Sequence, residues 1–212
     1  PGETRPRDDI TDLRLFAKAQ MTVSLPLVRQ SGTVQQTVEP IVALSLAPNA
    51  DNDNDLPNED SQDIEFDHTN LFLSSRFPGI DRLEGGQRLT YGVRAGLFGF
   101  GGGSSTVFLG QSYRLQRQND FPAGSGLETE LSDWVGRIEL TPSPWLDLSY
   151  SFRLDSETLA QRRHDVFGVF GPPEFRVSGG YLYLDRLTLE SGTASRNREE
   201  LTVTVSSAFS QY

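Results

Sequence analysis

The densest set of chemically capable side chains in this sequence is acidic: Asp51, Asp53, Asp55, Glu59, Asp60, Asp63, Glu65 and Asp67 follow one another in a single stretch. Asp51-x-Asp53-x-Asp55 copies the opening of a calcium loop, because a hard cation needs several oxygen ligands from closely spaced positions. The copy then fails. Leu56 stands where such a loop requires glycine, and Gln62 where it requires a bidentate glutamate. The stretch reads as a solvated acidic loop, with weak divalent-cation binding near a phosphate-rich surface as the open alternative. His68 and His164 are too few for a histidine metal site, and neither has a nucleophile at a recognisable spacing. Gly99 and Gly101 to Gly103 lack the Gly-Lys-Ser/Thr ending and the helix of a phosphate loop, so they read as a turn. The absence of cysteine removes thiolate catalysis, thiolate metal sites and disulfides together. No catalytic residue, metal or cofactor is therefore expected, and the chain does not read as an enzyme.

A second set of charges is spaced by twos: Arg88 and Arg94, Arg114, Arg137 and Glu139, Asp147 and Arg153, with Lys18, Gln20, Thr22 and Arg176 in the same phase. Between them run apolar residues in the opposite phase. Leu89, Tyr91, Val93, Ala95 and Leu97 alternate with Arg88, Thr90, Gly92, Arg94 and Gly96, and Leu146, Leu148, Tyr150, Phe152 and Leu154 with Asp147, Ser149, Ser151 and Arg153. A period of two means strand, since successive side chains leave opposite faces of a pleated chain. Strands with one greasy and one charged face suit a barrel with lipid outside and water inside. There an Arg or Lys on the lipid face would cost about 2–4 kcal/mol at the midplane. The seven charges from Arg88 to Arg153 are accordingly expected to line a lumen.

About nine strands fit the pattern: Leu13 to Val28, Thr33 to Ala47, Gly86 to Leu97, Thr106 to Arg117, Leu131 to Leu140, Leu146 to Asp155, Gln161 to Phe170, Phe175 to Leu184 and Glu200 to Ser210. Many approach the roughly ten residues that a tilted bilayer crossing needs. Their connections alternate between short (Arg29 to Gly32, Gly99 to Ser105, Thr141 to Pro144, Gly171 to Pro173) and longer ones (Pro48 to Gly85, Gln118 to Glu130, near Glu157, Asp185 to Glu199). Up-and-down outer-membrane barrels put tight turns on the periplasmic side and longer loops outside. The expectation is an all-β, antiparallel up-and-down transmembrane β-barrel segment, with residues 1–212 forming part of one barrel domain and an extracellular loop over about 48–85. Trp145, Phe175, Phe121 and Trp134 sit near strand ends, where interfacial girdles form.

Composition narrows the classes further. The net charge of −10 argues against nucleic acid, which draws on clustered Lys and Arg. No stretch approaches the roughly 18 apolar residues of a spanning helix. The chain starts at Pro1 without a basic, apolar, small-residue signal, and its alternation still runs at Val203, Val205 and Phe209, so it reads as a mature protein or a piece of one.

Asn58-Glu59-Asp60-Ser61-Gln62-Asp63-Ile64-Glu65-Phe66-Asp67, continuing through Thr69-Asn70-Leu71-Phe72, resembles the central barrel region of the LptD (OstA or Imp) family of lipopolysaccharide-assembly proteins. Residues from Arg76 to Gly92 are similar to that family's R-F-x-G-x-D-R-x-E-G-G-x-R-x-x-Y-G segment, and Gly110 to Arg114 and Leu131 to Gly136 follow in the family's order. The resemblance implies a large outer-membrane barrel that receives lipopolysaccharide from a periplasmic LptA-like bridge and releases it laterally into the outer leaflet, with an LptE-like lipoprotein plugging the lumen. It singles out a motif loop with Asp63, Phe66, Asp67, Asn70, Arg76, Gly79, Asp81 and Arg82. The family's periplasmic jelly-roll domain, many of its strands and its bridging cysteines lie outside this stretch, and no residue of its lateral gate is carried over. A general porin or solute channel of the outer membrane is the alternative, followed by an outer-membrane hydrolase and a soluble β-sandwich adhesin.

Overall fold

The computed structural model describes residues 16–50, 52, 64–79, 82–116, 121–122, 124–185 and 197–208. Asp51, Asp53, Asp55, Glu59, Asp60, Asp63 and Asp81 of the sequence reading lie outside them. The described strands are β1 (Ala19–Ser24), β2 (Leu27–Ser31), β3 (Val34–Leu46), β4 (Gln87–Gly99), β5 (Ser104–Arg114), β6 (Trp134–Ser143), β7 (Leu146–Leu154), β8 (Gln161–Phe170), β9 (Phe175–Leu184) and β10 (Arg198–Ser207). They form one antiparallel sheet in the order β1-β3-β4-β5-β6-β7-β8-β9-β10, with β2 also paired to β3. This is an all-β, up-and-down architecture. The sheet is open among the described residues, with β1 and β2 on one edge and β10 on the other.

Strand register decides which side chains share a face. Glu39, Arg94, Phe108, Arg137, Ser151, Asp165, Leu182 and Glu200 are successive cross-strand partners and make one continuous row from β3 to β10. The neighbouring row on the opposite face is Val38, Ala95, Val107, Ile138, Tyr150, Val166, Tyr181 and Leu201. A shift of one residue in any pairing would exchange the two rows locally, so the alternation itself fixes the register. The apolar row has nothing packed over it: Val38, Val107, Val166, Tyr181 and Leu201 are all exposed. A water-soluble monomer does not leave an apolar surface of this extent bare.

The first expected strand, Leu13 to Val28, is two strands because of Pro40 in the strand it pairs with. Leu25 N donates to Pro40 O at 3.1 Å, but Pro40 has no N–H to return the bond, and the register sets Pro26 opposite Glu39 at the non-hydrogen-bonded position that follows. The pairing frame survives the gap, with Ser24 opposite Ile41 and Leu27 opposite Val38. β2 also runs on to Ser31, which leaves only residues 32 and 33 for the turn. The sixth strand starts later and ends later than expected. Leu131 makes only an isolated bridge to Tyr113, and beyond Leu140 the strand continues through a register irregularity that accommodates Pro142.

All four longer connections, 47–86, 115–133, 155–160 and 185–197, leave from one end of the sheet, and the short turns lie at the other. An arginine placed on the apolar row at Val166 should cost the folded barrel about 2–4 kcal/mol, whereas one at Thr202 on the charged face should be tolerated. Heat-modifiable migration of the full-length protein checks this, and equal tolerance of both changes would contradict the assignment of faces.

Candidate functional site

Two of the longer connections fold back over the charged face rather than away from it. Phe66, Leu71 and Phe77 of the first connection meet Phe121 and Leu127 of the second, over Phe108 and Val135 of the wall. Phe66 and Leu71 are fully buried, and the Phe77 and Phe121 rings stack with centroids 4.8 Å apart. The wall is dented to receive them. A Cβ on Gly110 of β5 would lie 2.4 Å from Leu71 Cδ2, so only glycine leaves room for this side chain. The loop's leading turn is held by its own side chains: Asp67 Oδ1 accepts from Thr69 N at 2.7 Å, and Asn70 Nδ2 donates to Glu65 O at 2.7 Å.

Buried charge fixes this cap to the wall. Glu84, the last carboxylate of the first connection, accepts from Arg76 N at 2.8 Å and Arg76 Nε at 3.0 Å, and pairs with Arg88 Nη1 of β4. Arg76 Nη1 donates to Ser112 Oγ of β5 at 3.0 Å, and Arg88 Nη2 to Leu73 O at 2.5 Å. The Arg76 and Arg114 guanidiniums lie 5.2 and 4.4 Å from the centroid of the Phe121 ring, which also stacks on Phe77. Arg153 of β7 plays a matching part for the second connection, donating from Nη1 to Ser125 O at 2.8 Å and from Nη2 to Gly124 O at 3.1 Å. Gly126 takes φ +79°, and a Cβ there would lie 2.6 Å from Asp133 Oδ2. Edge strand β1 is tied in as well: Lys18 Nζ, just before it, donates to Glu84 O at 3.3 Å, and Gln20 Nε2 to Phe72 O at 3.0 Å.

These surroundings shift the loop carboxyls in opposite directions. Burial alone would raise Glu84, but the Arg76 and Arg88 guanidiniums outweigh it and hold the carboxyl at about 2, below its ordinary 4.5. Burial pushes Asp133 from 3.8 up to about 6, against the pull of Arg153 3.6 Å away. Burial lowers Lys18 and His68 from their ordinary values.

The register puts Arg88, Arg94, Arg114, Arg137, Glu139, Asp147 and Arg153 on one face. They separate by height. Arg88, Arg114 and Arg153 are buried beneath the cap, Arg94, Arg137 and Glu139 lie nearer the short turns, and Asp147 is exposed beside one of those turns. Phe66, Asp67, Asn70 and Arg76 of the motif loop are built into the cap, and Gly79 and Arg82 belong to the same connection; Asp63 and Asp81 lie outside the described residues. Trp134, Trp145 and Phe175 stay near strand ends. Phe121 does not join a girdle, because its loop turns it inward under the two arginines. His164 hydrogen-bonds Tyr150 Oη through Nδ1 at 2.5 Å on the apolar face, the face opposite the one that His68 in the cap covers. Among the described residues no group of three or more His, Asp or Glu side chains is placed to hold a metal.

Reading the sequence missed Glu84, Ser112, Asp133 and Lys18 as parts of this assembly. Glu84 had a visible signal, the glutamate of the E-G-G step four residues before Arg88. The others are brought together only by the loop path.

Glu84→Gln should detach the cap, because two buried guanidiniums lose their counter-charge at a cost of about 3–5 kcal/mol. Limited proteolysis within residues 64–84 of the intact protein reads this out, and wild-type resistance in the variant would contradict it. Because the folded Glu84 pKa lies below its ordinary value, its contribution is complete above pH 4.5 and is lost as pH falls toward 2. Asp133 has the opposite sign: the folded state binds its proton more tightly, so the second connection loses stability as pH rises from 3.8 to about 6. Hydrogen exchange over residues 124–133, corrected for its intrinsic pH dependence, should speed up across that window, and Asp133→Asn should flatten the response.

Comparison with known proteins bears on the whole of this assembly. The model of the family LptD, described as LPS transport system D, matches residues 3–211. An LPS-assembly protein LptD of Hahella chejuensis is 26% identical over 144 residues, which is 66% of this chain and 18% of that relative. The matched segment is thus a small part of the relative's length. With the family match running through every described strand and through both connections of the cap, this chain belongs to the LptD family.

Proposed function

We propose that this chain is a section of the wall of an outer-membrane translocon that places lipopolysaccharide in the outer leaflet, with the two folded-back connections capping the external mouth. The observation that carries the reading is the two-faced sheet, bare and apolar on one side and charged and covered by its own loops on the other. Family membership supplies the cargo, since the family is one of lipopolysaccharide transport and assembly. Lipopolysaccharide has fatty chains and a phosphorylated sugar head, so its conduit must let the chains reach lipid while the head stays hydrated. A wall with one face for each solvent meets both demands.

In this reading Arg88, Arg94, Arg114, Arg137, Glu139, Asp147 and Arg153 face the lumen, and an LptE-like plug lipoprotein occupies part of that lumen. An LptA-like periplasmic bridge delivers the cargo through a part of the protein other than this segment. Lateral release needs a seam, and the ladder joining β1 and β2 to β3 is weakened where Pro40 withholds a donor from Leu25. The cap argues against a porin. A diffusion channel needs an open mouth, whereas here aromatic packing and a buried ion network cover the charged face.

Depleting the full-length protein should lower surface lipopolysaccharide and detergent resistance, and deleting residues 64–79 should impair one or both. Unchanged surface lipopolysaccharide on depletion would sink the reading, and a steady single-channel conductance of the intact complex would favour the porin instead. Pro40→Ala restores a donor opposite Leu25 and should slow delivery; unaltered delivery would remove the seam from the account.

A further inference from the structure

Directly beneath the cap, on the turn side of its aromatic core, the charged face keeps a cavity of about 400 Å³ between His68 and Phe72 of the first connection and the wall strands β4, β5 and β6. Its polar lining is paired in a particular way. Arg94 Nη1 binds Glu39 Oε2 at 3.0 Å, Arg137 Nε binds Glu139 Oε1 at 2.8 Å, and Thr106 Oγ1 donates to the second Glu139 oxygen at 3.1 Å. Two guanidiniums thus meet two carboxylates, and the four charges sum to zero. None of these pairs is sealed: the side chains of Arg94 and Arg137 are 57% and 35% exposed, and that of Glu139 is 49% exposed. A guanidinium has five N–H donors and a carboxylate about four acceptor sites, so each pair retains unused donors and acceptors side by side.

The apolar side of the cavity is aromatic. Phe72 and Phe108 meet edge to face with centroids 6.2 Å apart, and the Arg94 guanidinium lies 6.0 Å from the Phe108 centroid. At the cap side, His68 Nδ1 is buried and has no hydrogen-bond partner among the described residues. An unmet buried ring nitrogen costs free energy unless something supplies its partner.

We propose that this cavity is a saccharide-binding subsite, taking a sugar unit by its vicinal hydroxyls and its C–H face. A hydroxyl donates one hydrogen bond and accepts others, so two neighbouring hydroxyls match an Arg–Glu pair that offers both roles at once. The C–H face of the ring lies against Phe72 and Phe108. Phosphate is the poorer match: the site has no uncompensated positive charge with which to hold an anion. The subsite deepens the translocation reading and rests on it, because the sugar head of the cargo is what would pass beneath the cap.

The test uses the full-length protein with its natural partners in detergent. The probe is lipopolysaccharide freed of its fatty chains by alkali, in one arm intact and in a second arm dephosphorylated. Calorimetric titration should show saturable binding of both forms with comparable affinity. Binding should weaken at least tenfold in Thr106→Val and in Glu139→Gln, and stay unchanged in Thr204→Val on the same face away from the cavity. Correct folding of each variant is read from heat-modifiable migration. Absence of saturable binding, equal binding by all variants, or binding that disappears on dephosphorylation would each overturn the subsite. The translocation reading fails separately: if depletion leaves surface lipopolysaccharide unchanged while the sugar still binds and is lost in the two variants, the subsite stands and the cargo assignment falls.

Discussion

Everything in this wall follows from the commitment of each strand position to one of two solvents. The row from Glu39 to Glu200 and the row from Val38 to Leu201 are one residue apart in every strand from β3 to β10, and a slip of β4, β6 or β7 would place Arg94, Arg137 or Arg153 among aliphatics. At a bilayer midplane such a slip costs a few kcal/mol per basic side chain, about the size of a protein's whole stability margin when several are involved. Register and loop placement are therefore one constraint seen at two scales. The loops fold onto the charged face because only there do their own charges find partners.

The cap shows how a polar face can carry a compact hydrophobic core. Phe66, Leu71, Phe77, Phe121 and Leu127 bury one another without any apolar strand row to pack against, using Phe108, Val135 and the glycine dent at Gly110 as a floor. The ion network of Arg76, Glu84 and Arg88 closes the edge of that core. A buried network of this kind adds little net stability compared with apolar residues of the same shape, but it discriminates strongly, because any loop position that leaves Glu84 unpaired strands two guanidiniums. It also reaches the weak edge of the sheet. Lys18 and Gln20 connect the cap to β1, the edge strand whose ladder to β3 lacks the bond that Pro40 cannot return, so the covered mouth and that edge are joined.

Much of the wall was legible in the sequence because a period of two is a local signal. Leu89 through Leu97 and Leu146 through Leu154 declared both their strands and their faces, and Arg88, Arg94, Arg137 and Arg153 fell into the charged phase by counting alone. The edge strand was harder to read. The missing bond comes from Pro40, whose place opposite Leu25 is set by register rather than by neighbours in sequence. Phe121 misled for a related reason: nearness to a strand end says nothing about the direction in which a loop turns. Ser112 and Asp133 act through contacts between segments apart in the chain, such as Arg76 with Ser112 and Arg153 with Asp133, and no spacing rule announces those, whereas Glu84 stands four residues before its partner Arg88. The motif loop was recognisable by resemblance, but its fold over the charged face came from packing and burial.

The central claim, that the two rows face lipid and water, is tested most directly by nitroxide labels at adjacent positions of β8 in the intact membrane-embedded protein. A label at Val166→Cys should relax with oxygen, which concentrates in the hydrocarbon, and one at Asp165→Cys with a water-soluble nickel chelate. The same preference at both positions, or the reverse order, would contradict the account.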